Sequence, residues 1–104
     1  MRLLNQDYAF EMINLQEYAG KSRNDMIRIK SRLIGSEGKT RVAIEELTET
    51  SVTIYGKTVS MIGLIENVAI AKQAVEMLVK GSPHSKVYTF LEKKRRDLKR
   101  KSIF

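Results

Sequence analysis

The sequence predicts an α+β domain in which three helices pack against a three-stranded antiparallel sheet, followed by a basic C-terminal helix. Residues 8–15 and 51–63 are rich in apolar, aromatic and β-branched residues, as strands are. Three other segments repeat apolar residues at three- and four-residue spacing, which is typical of amphipathic helices. The order strand, helix, helix, strand, strand, helix favours a sheet covered by helices on one face.

The first two predicted helices are separated by a short segment with two glycines. Met26, Ile29 and Leu33 recur at three- and four-residue spacing along the first helix. Gly35 is expected to end this helix, because glycine reaches positive φ without steric cost. A second helix is predicted from about residue 38 or 39 to residue 48.

After the second helix the pattern changes to a period of two, which predicts a hairpin. Val52 and Ile54 share one face of its first strand, and residues 56–57 (Gly-Lys) fit a two-residue type II′ turn. Helical spacing returns from residue 64 to residue 80. Ser-Pro at 82–83 then predicts the start of the last helix, since proline is favoured in a first helical turn.

The net charge of +7 is concentrated near the C-terminus. Residues 1–81 carry 11 basic and 10 acidic side chains, whereas residues 82–104 carry 8 basic and 2 acidic ones. We therefore divide the chain into a domain, residues 1–81, and a basic helical extension, residues 82–104. A basic cluster of this kind attracts polyanions. The same helix carries an apolar stripe, Val87, Leu91 and Leu98, which could instead be buried against a protein partner.

The composition argues against several classes of protein. The chain has no cysteine, which excludes thiol chemistry and fits a cytoplasmic location. His84 is the only histidine and has no acidic partner at metal-ligand spacing, so we expect no metal, no cofactor and no enzyme activity. Acidic residues in the first 20 positions argue against a signal peptide, and no apolar run is long enough to span a membrane.

The main candidate site is LIGSEGKTR, residues 33–41, and we call its residues 35–38 the glycine loop. It lies between two helices, which argues against a dinucleotide or Walker-type phosphate loop, since both follow a strand. Bare backbone here would let a nucleic-acid backbone approach closely, and the N-terminus of the next helix would face the phosphates. Nearby apolar side chains could form a groove floor for unstacked bases. The predicted contacts are Arg28, Arg32, Ile34, Gly35, Ser36, Glu37, Gly38, Lys39, Arg41, Val42 and Ile54.

The last predicted helix supplies a second set of candidate contacts. Seven of the ten residues from 92 to 101 are basic. Such a helix can follow phosphates and add salt-dependent affinity. The residues predicted to do so are Lys93, Lys94, Arg95, Arg96, Lys99 and Arg100.

The glycine loop, followed by a short helix and a hairpin, resembles the KH domain, and the element order is that of type I. The match continues through GKTRVAIEELTETSVTIYGKTVSMIG, residues 38–63, and SPHSKVYTFLEKKRRDLK, residues 82–99. Both segments resemble the Partner-of-Nob (Dim-two) family of ribosome assembly factors, including its archaeal members. Together the resemblance covers about residues 23–101.

This resemblance implies an RNA-binding factor of small ribosomal subunit biogenesis. KH domains hold about four nucleotides of single-stranded nucleic acid against the glycine loop. Members of the family bind near the 3′ end of small-subunit rRNA and work with the Nob endonuclease. Archaeal members are also linked to the alpha subunit of translation initiation factor two. We therefore expect small-subunit rRNA, the Nob endonuclease and the alpha subunit of translation initiation factor two as partners. We expect no association with a membrane.

The sequence departs from the family pattern at several points. Family members usually carry two KH domains, and this chain matches the second. Glu37 places a negative charge in the glycine loop, and Glu49 replaces a glycine common before the hairpin. Arg41 stands where many other KH domains have an apolar residue.

Two other functions remain open from the sequence. The chain could be a general module for single-stranded RNA or DNA, with a target outside the ribosome. It could also be a protein adaptor that docks a nuclease or an initiation-factor subunit, with Glu37 weakening the affinity for RNA.

Overall fold

The computed structural model describes residues 8–19 and 23–102, with side chains through residue 97. It confirms the predicted α+β fold and element order, and adds one short helix, α1. The elements are β1 (Tyr8–Asn14), α1 (Gln16–Ala19), α2 (Arg23–Ile34), a 3-10 turn (Ser36–Gly38), α3 (Lys39–Thr48), β2 (Ser51–Tyr55), β3 (Thr58–Leu64), α4 (Ile65–Val79) and α5 (His84–Ser102).

The three strands form an antiparallel sheet in the order β1-β3-β2. Tyr55 pairs with Thr58, so the hairpin has a two-residue turn, as predicted. Gly56 has φ 57°, and no positive φ is found at the residue after it, which is the pattern of a type II′ turn. Because β3 is central, β2 is left as an edge strand, and it lies beside α3.

The core lies between the inner face of the sheet and helices α2–α5. Its members are mainly the residues that the apolar periodicity selects, such as Leu33, Ile44 and Met61. The predicted boundary after Gly81 falls in the turn between α4 and α5. However, the first half of α5 packs into the same core, since Val87 and Leu91 are fully buried.

The outer face of the sheet carries no charged side chain among the strand residues described. β1 exposes Tyr8, Phe10 and Met12 there, and β3 exposes Ile62 and Leu64 beside them. Within the described residues, the basic side chains lie on the helices and in the turns. A polyanion has no electrostatic reason to bind the outer face.

No helix within residues 8–19 and 23–102 is long and apolar enough to cross a membrane.

Gly63 marks a close approach between β3 and the segment that follows α3. A Cβ atom built on Gly63 would lie 2.9 Å from Thr50 Cγ2 and 3.4 Å from Thr50 Cα. Thr50 is itself held in place, because its hydroxyl lies 2.7 Å from that of Thr48. The chain therefore needs a glycine here for space.

We predict that Gly63→Ala lowers the free energy of unfolding by about 1–3 kcal/mol through overpacking. Thr50→Ser removes the clashing methyl group and keeps the hydroxyl, and should cost about 1 kcal/mol alone. The double variant should be more stable than the sum of the two changes implies, as urea denaturation would show. Strict additivity would contradict this steric explanation.

Candidate nucleic-acid interface

Gly35 ends α2 and packs directly against the first turn of α3. Its N–H donates to Ser31 O at 2.8 Å, which is the last hydrogen bond of the α2 pattern. Its φ of 76° and ψ of 179° fall in a region that is open essentially to glycine alone. A Cβ at this position would lie 2.7 Å from Thr40 Cβ and 2.8 Å from Thr40 N. Gly35 is therefore required for packing within the protein.

Gly38 has the same φ of 76° as Gly35 but lies in an open environment. No atom lies within 4 Å of the Cβ that a larger residue would carry here. Its backbone therefore presents a bare surface outward, immediately before α3. The two glycines of the loop thus have different roles: Gly35 faces the protein, and Gly38 faces the side from which a ligand would approach.

Glu37 adopts a left-handed conformation between these glycines, with φ 56° and ψ 29°. For a residue with a side chain this conformation costs about 1–2 kcal/mol. Its carboxylate lies 4.0 Å from Lys39 Nζ, but both side chains are more than three-quarters exposed, so this ion pair contributes little. The negative charge of Glu37 therefore stands close to any phosphate bound at the loop.

The N-terminus of α3 opens directly at the glycine loop and has no side-chain cap. The N–H of Lys39 donates to Ser36 O, and the N–H of Gly38 donates to Gly35 O at 3.3 Å. The following N–H groups are at the positive end of the helix dipole, where anions bind favourably. This end of α3 is therefore suited to a phosphate group.

Three apolar side chains near the glycine loop and the contact between α3 and β2 are partly exposed, and we call them the groove. Ile34 and Val42 are 37% and 40% exposed. Ile54 is half-buried and points to the same face of the sheet as the buried Val52. These side chains offer an apolar surface next to the glycine loop, which suits the flat faces of unstacked bases.

An edge clamp joins α3 to β2 along this groove. Glu45 accepts a hydrogen bond from Val52 N at 2.8 Å, while Arg41 Nη1 donates to Val52 O at 3.3 Å and to Glu45 Oε1 at 3.1 Å. The two side chains thus replace a neighbouring strand at Val52. Because backbone groups alternate in direction along an antiparallel edge, the next outward N–H and C=O belong to Ile54. No residue in the described ranges hydrogen-bonds to those two groups.

The predicted basic contacts differ in whether their side chains face solvent or bond within the protein. Arg28 is 72% exposed and has only a weak surface pair with Asp25 at 3.5 Å. Arg32 instead points back into the protein, where its Nε donates to Leu78 O at 3.0 Å and its Nη2 donates to Ser82 O. These bonds tie α2 to the end of α4, so we assign Arg32 a structural role. Arg41 is held in the edge clamp at the groove wall.

The basic segment of α5 is mostly exposed. Lys93, Arg95 and Arg96 face solvent, whereas Lys94 is half-buried and lies with its Nζ 5.9 Å from the centre of the Phe90 ring. The side chains of Lys99 and Arg100 lie outside the described residues. The exposed cations of this helix therefore form a second positive surface, separate from the glycine loop in sequence.

Among the described residues there is no cluster of histidine, cysteine or acidic side chains that could hold a metal ion.

The geometry of the glycine loop agrees with a comparison against protein families. Residues 9–96 match the model for the second KH domain of Pno1, described as a eukaryotic-type KH domain, type I. This chain belongs to the type I KH family. The KH domain accounts for nearly all described elements, including most of α5.

Relatives of this KH domain are found in archaea and fungi. A KH domain-containing protein of Methanocaldococcus jannaschii is 47% identical over 100 residues, which are 96% of this chain and 44% of the relative. The pre-rRNA-processing protein Pno1 of Aspergillus fumigatus is 39% identical over 66 residues, covering 64% of this chain and 26% of that protein. This chain therefore spans less than half the length of either relative.

A solved structure shows the same fold in a complex. Dim2p of Pyrococcus horikoshii, crystallised with a/eIF2alpha and rRNA, superposes with a TM-score of 0.81 and is 44% identical. The match covers 92% of this chain and 51% of the Dim2p chain.

Two residues close to the candidate site, Ile27 and Glu45, are not among the contacts predicted from the sequence. Ile27 lies seven positions before Ile34 on the same face of α2 and is 56% exposed. Glu45 is not among the predicted contacts, yet it holds the edge clamp. Its spacing of four from Arg41 was a visible signal for the salt bridge, but not for the bond to Val52.

We predict opposite outcomes for the same substitution at the two glycines. Gly35→Asn should destabilise the KH domain by about 3 kcal/mol or more, because its Cβ meets the backbone of Thr40 and its φ and ψ suit only glycine. Gly38→Asn should cost about 1 kcal/mol or less, since asparagine tolerates the left-handed region and the space is open. Thermal denaturation followed by circular dichroism measures both. Equal losses of stability would contradict the division of roles between the two glycines.

Proposed function

We propose that this KH domain binds single-stranded RNA across the glycine loop and the groove. The observation that carries the proposal is the bare, outward backbone of Gly38 at the uncapped N-terminus of α3. Phosphates of the RNA would meet the N–H groups at this end of the helix. The bases would then lie on Ile34, Val42 and Ile54, and the outward N–H and C=O of Ile54 would pair with base edges.

The target we propose is rRNA of the small ribosomal subunit, near its 3′ end. Support comes from the relatives, since Pno1 is named a pre-rRNA-processing protein and Dim2p is found in a complex with rRNA. The proposed role is to hold this rRNA during subunit maturation, without a catalytic step of its own. The Nob endonuclease and the alpha subunit of translation initiation factor two are the partners that fit this role. We place the activity in the cytoplasm, in agreement with a chain free of cysteine.

The basic segment of α5 adds a second, less selective contact in this proposal. Its exposed cations would neutralise phosphates beyond the groove and release counterions. Affinity from this segment should fall steeply with salt concentration, whereas contacts of the groove with bases depend on it much less. Salt titrations therefore separate the two contributions.

We predict that Ser36→Asp weakens binding of a single-stranded oligonucleotide from the 3′ end of small-subunit rRNA by at least about tenfold at low salt. Ser36 is exposed within the glycine loop, so the added carboxylate repels phosphates without disturbing the core. The difference from the native chain should shrink as salt screens the repulsion. Fluorescence anisotropy over a range of salt concentrations measures it.

Ser51→Asp is the matched control, because it makes the same exchange at an exposed position on the outer face of the sheet. It should change the affinity by about twofold or less. If both variants bind like the native chain, the glycine loop is not the RNA site, and the adaptor function gains support. If the native chain binds duplex RNA as well as it binds the single strand, the groove has no role.

We also predict that the native glycine loop is weakened by its own carboxylate. Glu37→Gln removes the negative charge and keeps the size of the side chain, so RNA affinity should rise by about threefold at low salt. Glu46→Gln makes the same charge change on an exposed face of α3 and should raise affinity less. An equal gain in both variants would show that only the net charge of the chain matters.

A further inference from the structure

Helix α5 begins about 45 residues after the glycine loop in sequence but contacts both sides of it. His84 Nε2 lies 3.1 Å from the backbone oxygen of Arg32, in the last turn of α2. The hydroxyl of Tyr88 lies 3.4 Å from Thr40 Oγ1, in the first turn of α3. These two α5 side chains are one helical turn apart, and the glycine loop lies between the two residues that they contact.

His84 completes the hydrogen bonding of α2 at the point where the chain leaves the helix. The carbonyl of Arg32 would need the N–H of residue 36, but the α-helical pattern stops at the bond from Gly35 N to Ser31 O. A carbonyl oxygen only accepts hydrogen bonds, so His84 must carry its proton on Nε2 and donate it. The imidazole thereby fixes the last turn of α2 directly before the glycine loop.

Tyr88 acts on the loop through Thr40. Thr40 is 4% exposed and packs directly on Gly35. A Cβ atom built on Gly35 would lie only 2.7 Å from the Cβ atom of Thr40. Its position therefore sets how α3 packs on Gly35. The Tyr88 hydroxyl lies beside Oγ1, the one polar atom of the Thr40 side chain, at a distance that allows only a weak hydrogen bond.

The α5 end of these contacts is anchored as well. The guanidinium of Arg32 bonds to Leu78 O and Ser82 O, at the end of α4 and in the turn before α5. The Arg32 side chain thus holds the turn that leads into α5, while its own carbonyl lies within hydrogen-bond distance of His84. Further along, Val87 and Leu91 are fully buried, so the first two turns of α5 cannot move independently of the core.

We propose that His84 and Tyr88 are positioning residues that hold the glycine loop in its RNA-binding conformation. This inference rests on the proposed function of the loop. It assigns two roles to α5: the first two turns fix the geometry of the loop, and the basic segment that follows supplies charge. Because a loop that is already ordered loses less entropy on binding, the two contacts raise RNA affinity without touching RNA.

The test compares Tyr88→Phe and His84→Ala with the native chain. Thr89→Ala is the matched control, since it deletes a hydroxyl on the same helix that bonds only to Ser85 O on the exposed side. Tyr88→Phe and His84→Ala should each weaken single-stranded RNA binding by about threefold to tenfold, and the dependence of affinity on salt concentration should stay the same. His84→Gln should restore affinity, because its amide can again donate to the Arg32 carbonyl. Thr89→Ala should bind like the native chain.

Hydrogen exchange of the free protein gives a readout that needs no RNA. The amides of residues 35–39 should exchange about tenfold faster in Tyr88→Phe and His84→Ala, while core strand amides keep their protection. Unchanged exchange in the loop would overturn the inference, as would faster exchange with unaltered RNA affinity. If the native chain binds no RNA, the proposed function fails, and the exchange rates still decide whether α5 orders the loop.

Discussion

The close approach of Gly35 to Thr40 is the constraint on which the site depends. With no Cβ on Gly35, the end of α2 can lie against the first turn of α3, and only four residues separate the two helices. This contact fixes the direction in which α3 starts, and with it the direction of the uncapped N–H groups. Gly38 can then remain bare and outward. A side chain at position 35 would therefore change the contact between α2 and α3, the direction of the α3 N–H groups and the exposure of Gly38 together.

The edge clamp transmits this geometry to the sheet. Arg41 and Glu45 occupy the outward groups of Val52, so α3 is held at one distance from the edge of β2. Among the described residues the outward backbone groups of Ile54 have no such partner, so the free part of this edge begins there. In the proposed function, an RNA strand would meet the N–H groups of α3 on one side of the groove and the backbone groups of Ile54 on the other.

The order of elements and the glycine loop could be predicted because their signals are local. Periodicity depends on neighbours three or four positions away, and Gly35 and Gly38 lie together between two helices. The role of Arg32 could not be predicted in this way, since its acceptors, the carbonyls of Leu78 and Ser82, are 46 and 50 residues away. In the sequence it is one of several nearby cations. The contact of Tyr88 with the loop is hidden for the same reason.

The most direct test of the central claim is to map the RNA on the protein by nuclear magnetic resonance. An amide titration with the single-stranded 3′-end rRNA oligonucleotide should shift the signals of residues 34–42 and of Ile54. The amide signals of residues whose side chains lie on the outer face of the sheet, such as Phe10, should not shift. Shifts confined to residues 93–101 would contradict the account, because the basic segment alone would then carry the binding.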